Sequence, residues 1–516
     1  MNSAMKTARG PLLVVLLAAL GINALSFTAT NLWVTPTSME YLELAADLLH
    51  GRGLSNELFL IRTPAYPMLL AAVFAVFDSW SPAVLSGLQH LMTAGVVFTT
   101  AATAWRVTGG RGLTLFVGLA TALNLQIIAF APQVMSETPF ILGAACCLYF
   151  LVTFARTNRA GAIFWASTAA AIAYLFRPIG LTLTALCAFL VGWEMVRARR
   201  ISLRPAVAVL LPSILFILPW MVHNQFVHGA QSFTRTLDFA LYNRAVFVER
   251  PQESSGPALS ELRGVVAEAK RAGKLDADAD EGLAWTVWMA YRDVENASLK
   301  ESSQKLGAAA WESLKRDPKK LAFDSVRYTA WMLLSPDSSY RYVPGGAPGV
   351  GGKRPRCAVV FDSGLYREPH AAVLATYSDF LPLSSEPKAT TPIWEVMVRM
   401  YHRVFELGPA PRPVLDSLYE VTVAFCLLGL AASLFSTERR LWLIVAAVVG
   451  LQIVPSAFVA GVGPRYSVPI QPQLILFGAW FGAWIGVSCL AVFRRWTTPT
   501  EAPPARHKFA LHSQGT

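Results

Sequence analysis

The chain has 516 residues, 54% of them hydrophobic and only 15% charged, and its mean hydropathy is +0.43. Soluble proteins carry about 25% charged residues, so a chain this apolar would expose more hydrophobic surface than water tolerates. The formal net charge of +11 is no nucleic-acid footprint, because the basic residues stand in small groups between apolar runs, where membrane proteins place them.

A bilayer core about 30 Å thick takes roughly 17–25 apolar residues per helix. The runs of that order are Pro11–Phe27, Ala83–Trp105, Leu113–Phe130, Pro139–Phe154, Ala160–Phe176, Ile179–Val196, Pro205–Val222, Leu418–Phe435, Leu441–Ala460 and Val468–Phe493. They predict an all-α polytopic membrane protein with about ten transmembrane helices. Lys6 and Arg9 precede the first run. Arg106 and Arg111, Arg156 and Arg159, Arg197 to Arg204, Arg439 and Arg440, and Arg494 and Arg495 follow every second run after that. Positive loops stay in the cytoplasm, which predicts cytoplasmic termini in a cell membrane and leaves the alternate loops outside.

The outer segments are then 28–82, 131–138, 223–416 and 461–467. Four regions are expected: a transmembrane module over 1–222 carrying the outer loop 28–82, an outer domain over 223–416, C-terminal spans over 417–495, and a disordered cytoplasmic tail over 496–516. Helical pieces in the outer domain are expected at Ala258–Ala272, Glu281–Leu314 and Pro318–Leu334, with a Gly/Pro-rich loop at Pro344–Pro355. Of the cysteines, only Cys357 falls outside the apolar runs, so no disulfide is indicated. No CxxC or His/Cys cluster suggests a structural metal. No cofactor is expected, beyond a divalent cation held loosely by one or two outer carboxylates.

Two stretches of the first outer segment are too short or too polar to span. In Ser38–His50, Tyr41, Leu42, Leu44, Ala45, Leu48 and Leu49 form a helical stripe opposite Glu40, Glu43 and Asp47. Pro64–Phe77 has Thr63 as a candidate N-cap and Pro64 at the first helical position. Both read as helices lying in the interface plane. A flat second helix also keeps the alternating basic loops in phase.

Six motifs follow in order on the outer side or its edge: Pro36-Thr37-Ser38-Met39-Glu40-Tyr41-Leu42, Arg62-Thr63-Pro64-Ala65-Tyr66-Pro67, Met135-Ser136-Glu137-Thr138, Phe176-Arg177-Pro178, Pro219-Trp220-Met221-Val222-His223-Asn224 and Pro464-Arg465-Tyr466. In this layout the chain resembles the GT-C superfamily of membrane glycosyltransferases, in particular the protein O-mannosyltransferase and lipid A aminoarabinose transferase group. The resemblance implies transfer of a sugar from a polyprenyl phosphate to a lipid, glycan or protein acceptor, with inversion at the sugar. It departs at one point. The group usually carries an Asp four residues before the Tyr that matches Tyr41, and Thr37 stands there.

Such a transfer needs a carboxylate to take the acceptor proton and cations to hold the lipid phosphate, for which Arg is suited. Glu40 and Glu137 are the candidate catalytic acids. Arg62, Arg177, Arg465 and Tyr466 are the candidates for the donor phosphate. Structural roles compete with each of these. Thr37 and Glu40 fit a Thr-x-x-Glu capping box, Glu137 would favour a helix N-terminus, and the arginines could face lipid headgroups. His223 stands where the group often has Arg, and His90, inside a span, reads as hydrogen-bonded packing. Other functions stay open: a transporter or lipid flippase, disfavoured by the near absence of mid-span charge and of corresponding broken helices, and a GT-C relative that binds polyprenyl phosphates without catalysis.

Overall fold

The computed structural model describes residues 2–29, 32, 36–77, 81–199, 201–230, 234–248, 256–275, 284–334, 424–460 and 470–497. Among them there are helices and no β-strand. Seven helices are long and apolar enough to cross a membrane. They are α1 (Asn2–Ala29), α4 (Ser81–Thr108), α7 (Glu137–Thr157), α9 (Leu181–Arg197, with the 3-10 turn Pro178–Gly180 before it), α10 (Leu203–His228), α17 (Arg439–Ala460) and α18 (Gln471–Thr497). Shorter apolar helices are α3 (Ala65–Phe77), α5 (Arg111–Ala122), α8 (Ala160–Phe176) and α16 (Ala424–Ser433). The chain is thus an all-α polytopic membrane protein.

One expected span differs. Leu113–Phe130 is not one helix: α5 stops at Ala122, and a single turn, α6 (Leu125–Ile128), follows. Asn124 makes the break, its side-chain oxygen accepting from the backbone N–H of Gln126 and Ile127. An Asn offering its own acceptor to the backbone competes with the helix ladder. At 1.5 Å per residue, α5 is about 18 Å long, well short of a bilayer core.

Apolar burial cannot drive helix association where lipid is as apolar as leucine, so close packing of small residues takes its place. A Cβ at Gly118 on α5 would stand 2.5 Å from a Val15 methyl of α1, and one at Gly143 on α7 would stand 2.9 Å from Ala173 of α8. The main core gathers α4, α7, α8, α9, α17 and α18 around Leu148, Ile163, Trp442 and Phe477. Leu13, Leu17, Phe116, Trp165, Phe189 and Trp193 face outward, as lipid contact allows.

Between α1 and α4 the chain forms α2 (Pro36–Leu49), a 3-10 turn at Glu57–Leu60, and α3. Met39, Tyr41, Leu42 and Ala45 of α2 pack on Tyr66, Leu70 and Phe74 of α3, the stripe expected from the sequence. Helix α3 starts one residue later than expected. The Pro64 carbonyl accepts from the Met68 N–H at 3.0 Å, and the Thr63 hydroxyl caps nothing among the described residues.

Beyond α10, which runs six residues past the expected limit at Val222 to His228, come α11 (Thr236–Tyr242), a π-helical turn at Asn243–Val248, α12 (Pro257–Arg271), α13 (Ala284–Glu295), α14 (Leu299–Leu314) and α15 (Pro318–Leu334). The single helix expected over Glu281–Leu314 is two. Asn296 breaks it with φ 52°, and Ser298 and Glu301 form a capping box that starts the next. Helices α11 to α14 share one core with Leu58–Ile61 and with Trp220 of α10. The Gly/Pro-rich loop, Cys357, residues 418–423 of the expected run Leu418–Phe435 and residues 498–516 lie outside the described residues.

Candidate functional site

The site begins with a buried loop. Residues 129–136 are all buried, so their backbone groups need partners within the protein. Gln89 of α4 supplies two: its Nε2 donates to the carbonyls of Ala131 and Gln133, each at 2.8 Å. Its Oε1 accepts from the Tyr66 hydroxyl at 2.9 Å. Burial, and then the nearby Tyr41 and Glu137, push the Tyr66 phenol well above its ordinary pKa, so Tyr66 stays a neutral donor. Tyr66 also meets the Tyr41 ring edge-on at 5.0 Å.

Onto this base the fold sets two acid–arginine pairs. Arg62 Nε lies 2.5 Å from Glu40 Oε2, with side chains 23% and 16% exposed. Arg177 Nη1 pairs with Glu137 Oε1, with side chains 19% and 2% exposed. Tyr41 joins the two. Its ring lies under the Arg62 guanidinium, 5.4 Å from centroid to Cζ, and its hydroxyl is 2.9 Å from Ser136 Oγ, next in sequence to Glu137.

Each charge has a local reason for its place. Glu40 sits in the second turn of α2. The helix starts at Pro36, one residue before Thr37, so Glu40 is not the third residue of a capping box, and its carboxylate goes to Arg62. Glu137 opens α7, yet Ser136 makes no side-chain cap because its hydroxyl is bonded to Tyr41. Arg177 ends α8 in extended backbone, φ −150° and ψ 134°. The turn that throws it back depends on Gly180, where a Cβ would collide with the backbone of Ala173 and Tyr174.

Arg62 is placed by residues that follow α10. The Leu60 carbonyl accepts from the Arg235 N–H and the Thr234 hydroxyl, and the Ile61 carbonyl accepts from the Thr236 hydroxyl at 2.5 Å. Further back, Glu57 accepts from the Leu299 N–H at 2.6 Å, at the start of α14. His223 Nε2 lies 3.0 Å from the Leu54 carbonyl and stacks on Trp220, so this histidine helps hold the loop. His90 is buried between Ser86 and Ser26, as packing requires. The acidic stripe continues along α2, but Glu43 and Asp47 turn to Asn56, and Asp47 also to Arg52.

Glu40, Arg62, Glu137 and Arg177 are therefore assembled, while Arg465 and Tyr466 lie outside the described residues. Gln89 and the Thr234–Thr236 clamp carry no sequence signal of their own, whereas Tyr66 falls within the Arg62–Pro67 motif. Arg244, on the π-helical turn, is another cation not foreseen. It is fully buried, 4.2 Å from the Tyr328 ring centroid, and π-turns often mark functional positions. Among the described residues no three or more His, Cys, Asp or Glu side chains converge as a metal site.

Fold and site define a polytopic helical membrane protein with paired carboxylates and arginines beside a short apolar helix. No family model and no curated protein matches the chain. Among solved structures, ArnT from Cupriavidus metallidurans bound to undecaprenyl phosphate is similar over 95% of this chain and 81% of its own, at 12% identity and a TM-score of 0.34, a likeness too slight to assign an activity.

Proposed function

We propose that the chain is an integral membrane glycosyltransferase of GT-C type that moves a sugar from a polyprenyl-phosphate donor to a lipid, glycan or protein acceptor on the outer face of the membrane. The observation that carries this reading is the pairing of Glu40 with Arg62 and of Glu137 with Arg177, linked through Tyr41 and Ser136. Ionisable groups at the edge of a membrane bundle are costly unless they serve a site, and here carboxylate and guanidinium stand together in the numbers the reaction needs.

In the proposed reaction the acceptor oxygen bonds to the anomeric carbon from the face opposite the phosphate, inverting that centre. The carbon–oxygen bond to phosphate breaks, and its electron pair leaves with the lipid phosphate. The acceptor proton passes to Glu40, the general base. Arg62 and Arg177 hold the phosphate as charge grows on it, and Arg465 and Tyr466 are proposed as further contacts. Glu137 fixes Arg177. The outer domain faces the acceptor, and the outer loops lie across the membrane from both termini. A divalent cation, where one assists, would have to share carboxylates that the arginines already hold.

Thr37, standing where the resembled group has Asp, favours a second reading: lipid-phosphate binding without transfer. Mass spectrometry of lipid-linked sugars and glycans in membranes with the protein, without it, and with Glu40→Gln separates the two. The transferase reading expects one sugar-modified product to vanish, and its polyprenyl donor to accumulate, in both the deletion and the variant. Loss in the deletion alone would move the base elsewhere. An unchanged glycan profile in both would sink the transferase.

A further inference from the structure

The charges of the site balance. Two arginines and two carboxylates sum to zero, and each arginine already has its carboxylate. A lipid phosphate entering such a site adds negative charge to a partly desolvated place, where an uncompensated anion is costly. To engage Arg62 or Arg177 it must take that arginine from a carboxylate, and the two carboxylates are not equally able to let go. Glu137 is 2% exposed, so losing Arg177 would strand it as a buried charge. Glu40 is 16% exposed and its arginine 23%, so its carboxylate has a route to water. Guanidinium also binds phosphate well through paired N–H donors, and Arg62 is held from behind by the Tyr41 ring and by the clamp on Leu60 and Ile61.

We infer that the donor's phosphate and the Glu40 carboxylate compete for Arg62, so that the donor binds first and its binding releases the base. The inference rests on the proposed transferase reading and sharpens it. While Arg62 holds Glu40, the carboxylate lone pairs point at a guanidinium rather than at an acceptor hydroxyl. Once phosphate takes the guanidinium, the carboxylate is free to accept a proton beside the reacting carbon. Catalytic competence then arises only in the donor complex, and the acceptor binds second.

Competition has a consequence that a simple binding role for Glu40 does not: removing the carboxylate charge should improve phosphate binding while abolishing transfer. The test measures undecaprenyl phosphate affinity of the purified full-length protein in lipid nanodiscs at fixed pH and salt. Glu40→Gln is expected to bind about 3- to 10-fold tighter than the wild type, as loss of one partly exposed competing ion pair allows. Arg62→Gln is expected to bind at least about tenfold more weakly. Glu40→Asp, whose side chain is one methylene shorter and so holds Arg62 less closely, should also bind tighter, and it keeps the test decisive if the glutamine variant folds poorly. Glu43→Gln removes a charge from the same helix outside the pair, where Asn56 is the partner, and should change affinity less than about twofold. Unchanged or weaker binding by both Glu40 variants overturns the competition. So does equal tightening by Glu43→Gln, which would make the effect one of bulk charge. No saturable binding by the wild type or any variant overturns the polyprenyl-phosphate reading itself.

Discussion

The two acid–arginine pairs use the same residue types, and the fold treats them differently. Glu40 and Arg62 both stand between α1 and α4, on helix α2 and the loop before α3, and both keep some contact with solvent. Glu137 and Arg177 stand on the ends of two packed helices, α7 and α8, with the carboxylate sealed from solvent. A partly exposed pair contributes little to stability and can open. A buried pair that loses one partner leaves a charge with nowhere to go. On the proposed reading, the contrast separates a charge placed to move during chemistry from one placed to hold two helix ends in register.

The largest expected effect tests that separation on the mobile side. Glu40→Gln should lower sugar transfer by about 10²- to 10⁴-fold, the usual contribution of a general base, with thermal unfolding in detergent unchanged; a matching fall in stability would break the comparison. On the fixed side, Glu137→Gln or Arg177→Gln should each destabilise the protein by about 3–5 kcal/mol, read from denaturant unfolding. The double substitution should recover part of that loss, since no lone charge remains buried; an additive loss would show that the pair is not what couples α7 to α8. Gly143→Val comes next, at about 1–3 kcal/mol, because the new side chain meets Ala173 and pushes apart the helices that carry the buried pair. Tyr41→Phe should have the smallest effect, about 0.5–1.5 kcal/mol for one hydrogen bond. Ser136→Ala should match it, and the double variant should add nothing further. A full sum of the two single losses would remove Tyr41 as the link between the pairs.

Several parts of the molecule were legible before any coordinates. The stripe on α2, the short helix after Arg62, the start of α7 at Glu137 and the helix over Pro318–Leu334 all follow from periodicity and end signals. Reading failed where one side chain redirected the backbone. Hydropathy joins Leu113 to Phe130, but Asn124 accepts two backbone N–H groups and splits the run. The spacing of Thr37 and Glu40 satisfies a capping box, yet the helix begins at Pro36, two residues too early for Glu40 to close it. Gln89 shows no motif at all; its importance comes from the carbonyls of a loop buried more than forty residues further along the chain.

Residence in the bilayer as helices was set by composition and run length, because the transfer free energy of each apolar residue is a local quantity that sums along the chain. The candidate acids and arginines could be picked out by type and by their place beside the spans. Which acid meets which arginine was decided by packing alone. Arg177 reaches Glu137 because α7 and α8 approach closely through Gly143 and Ala173 and because Gly180 lets the chain turn back over Tyr174. Arg62 reaches Glu40 because Thr234 and Thr236, eight helices further along the chain, clamp its loop. Electrostatic pairing depends on distances of a few ångströms and on how much water remains nearby, and both are properties of the assembled fold.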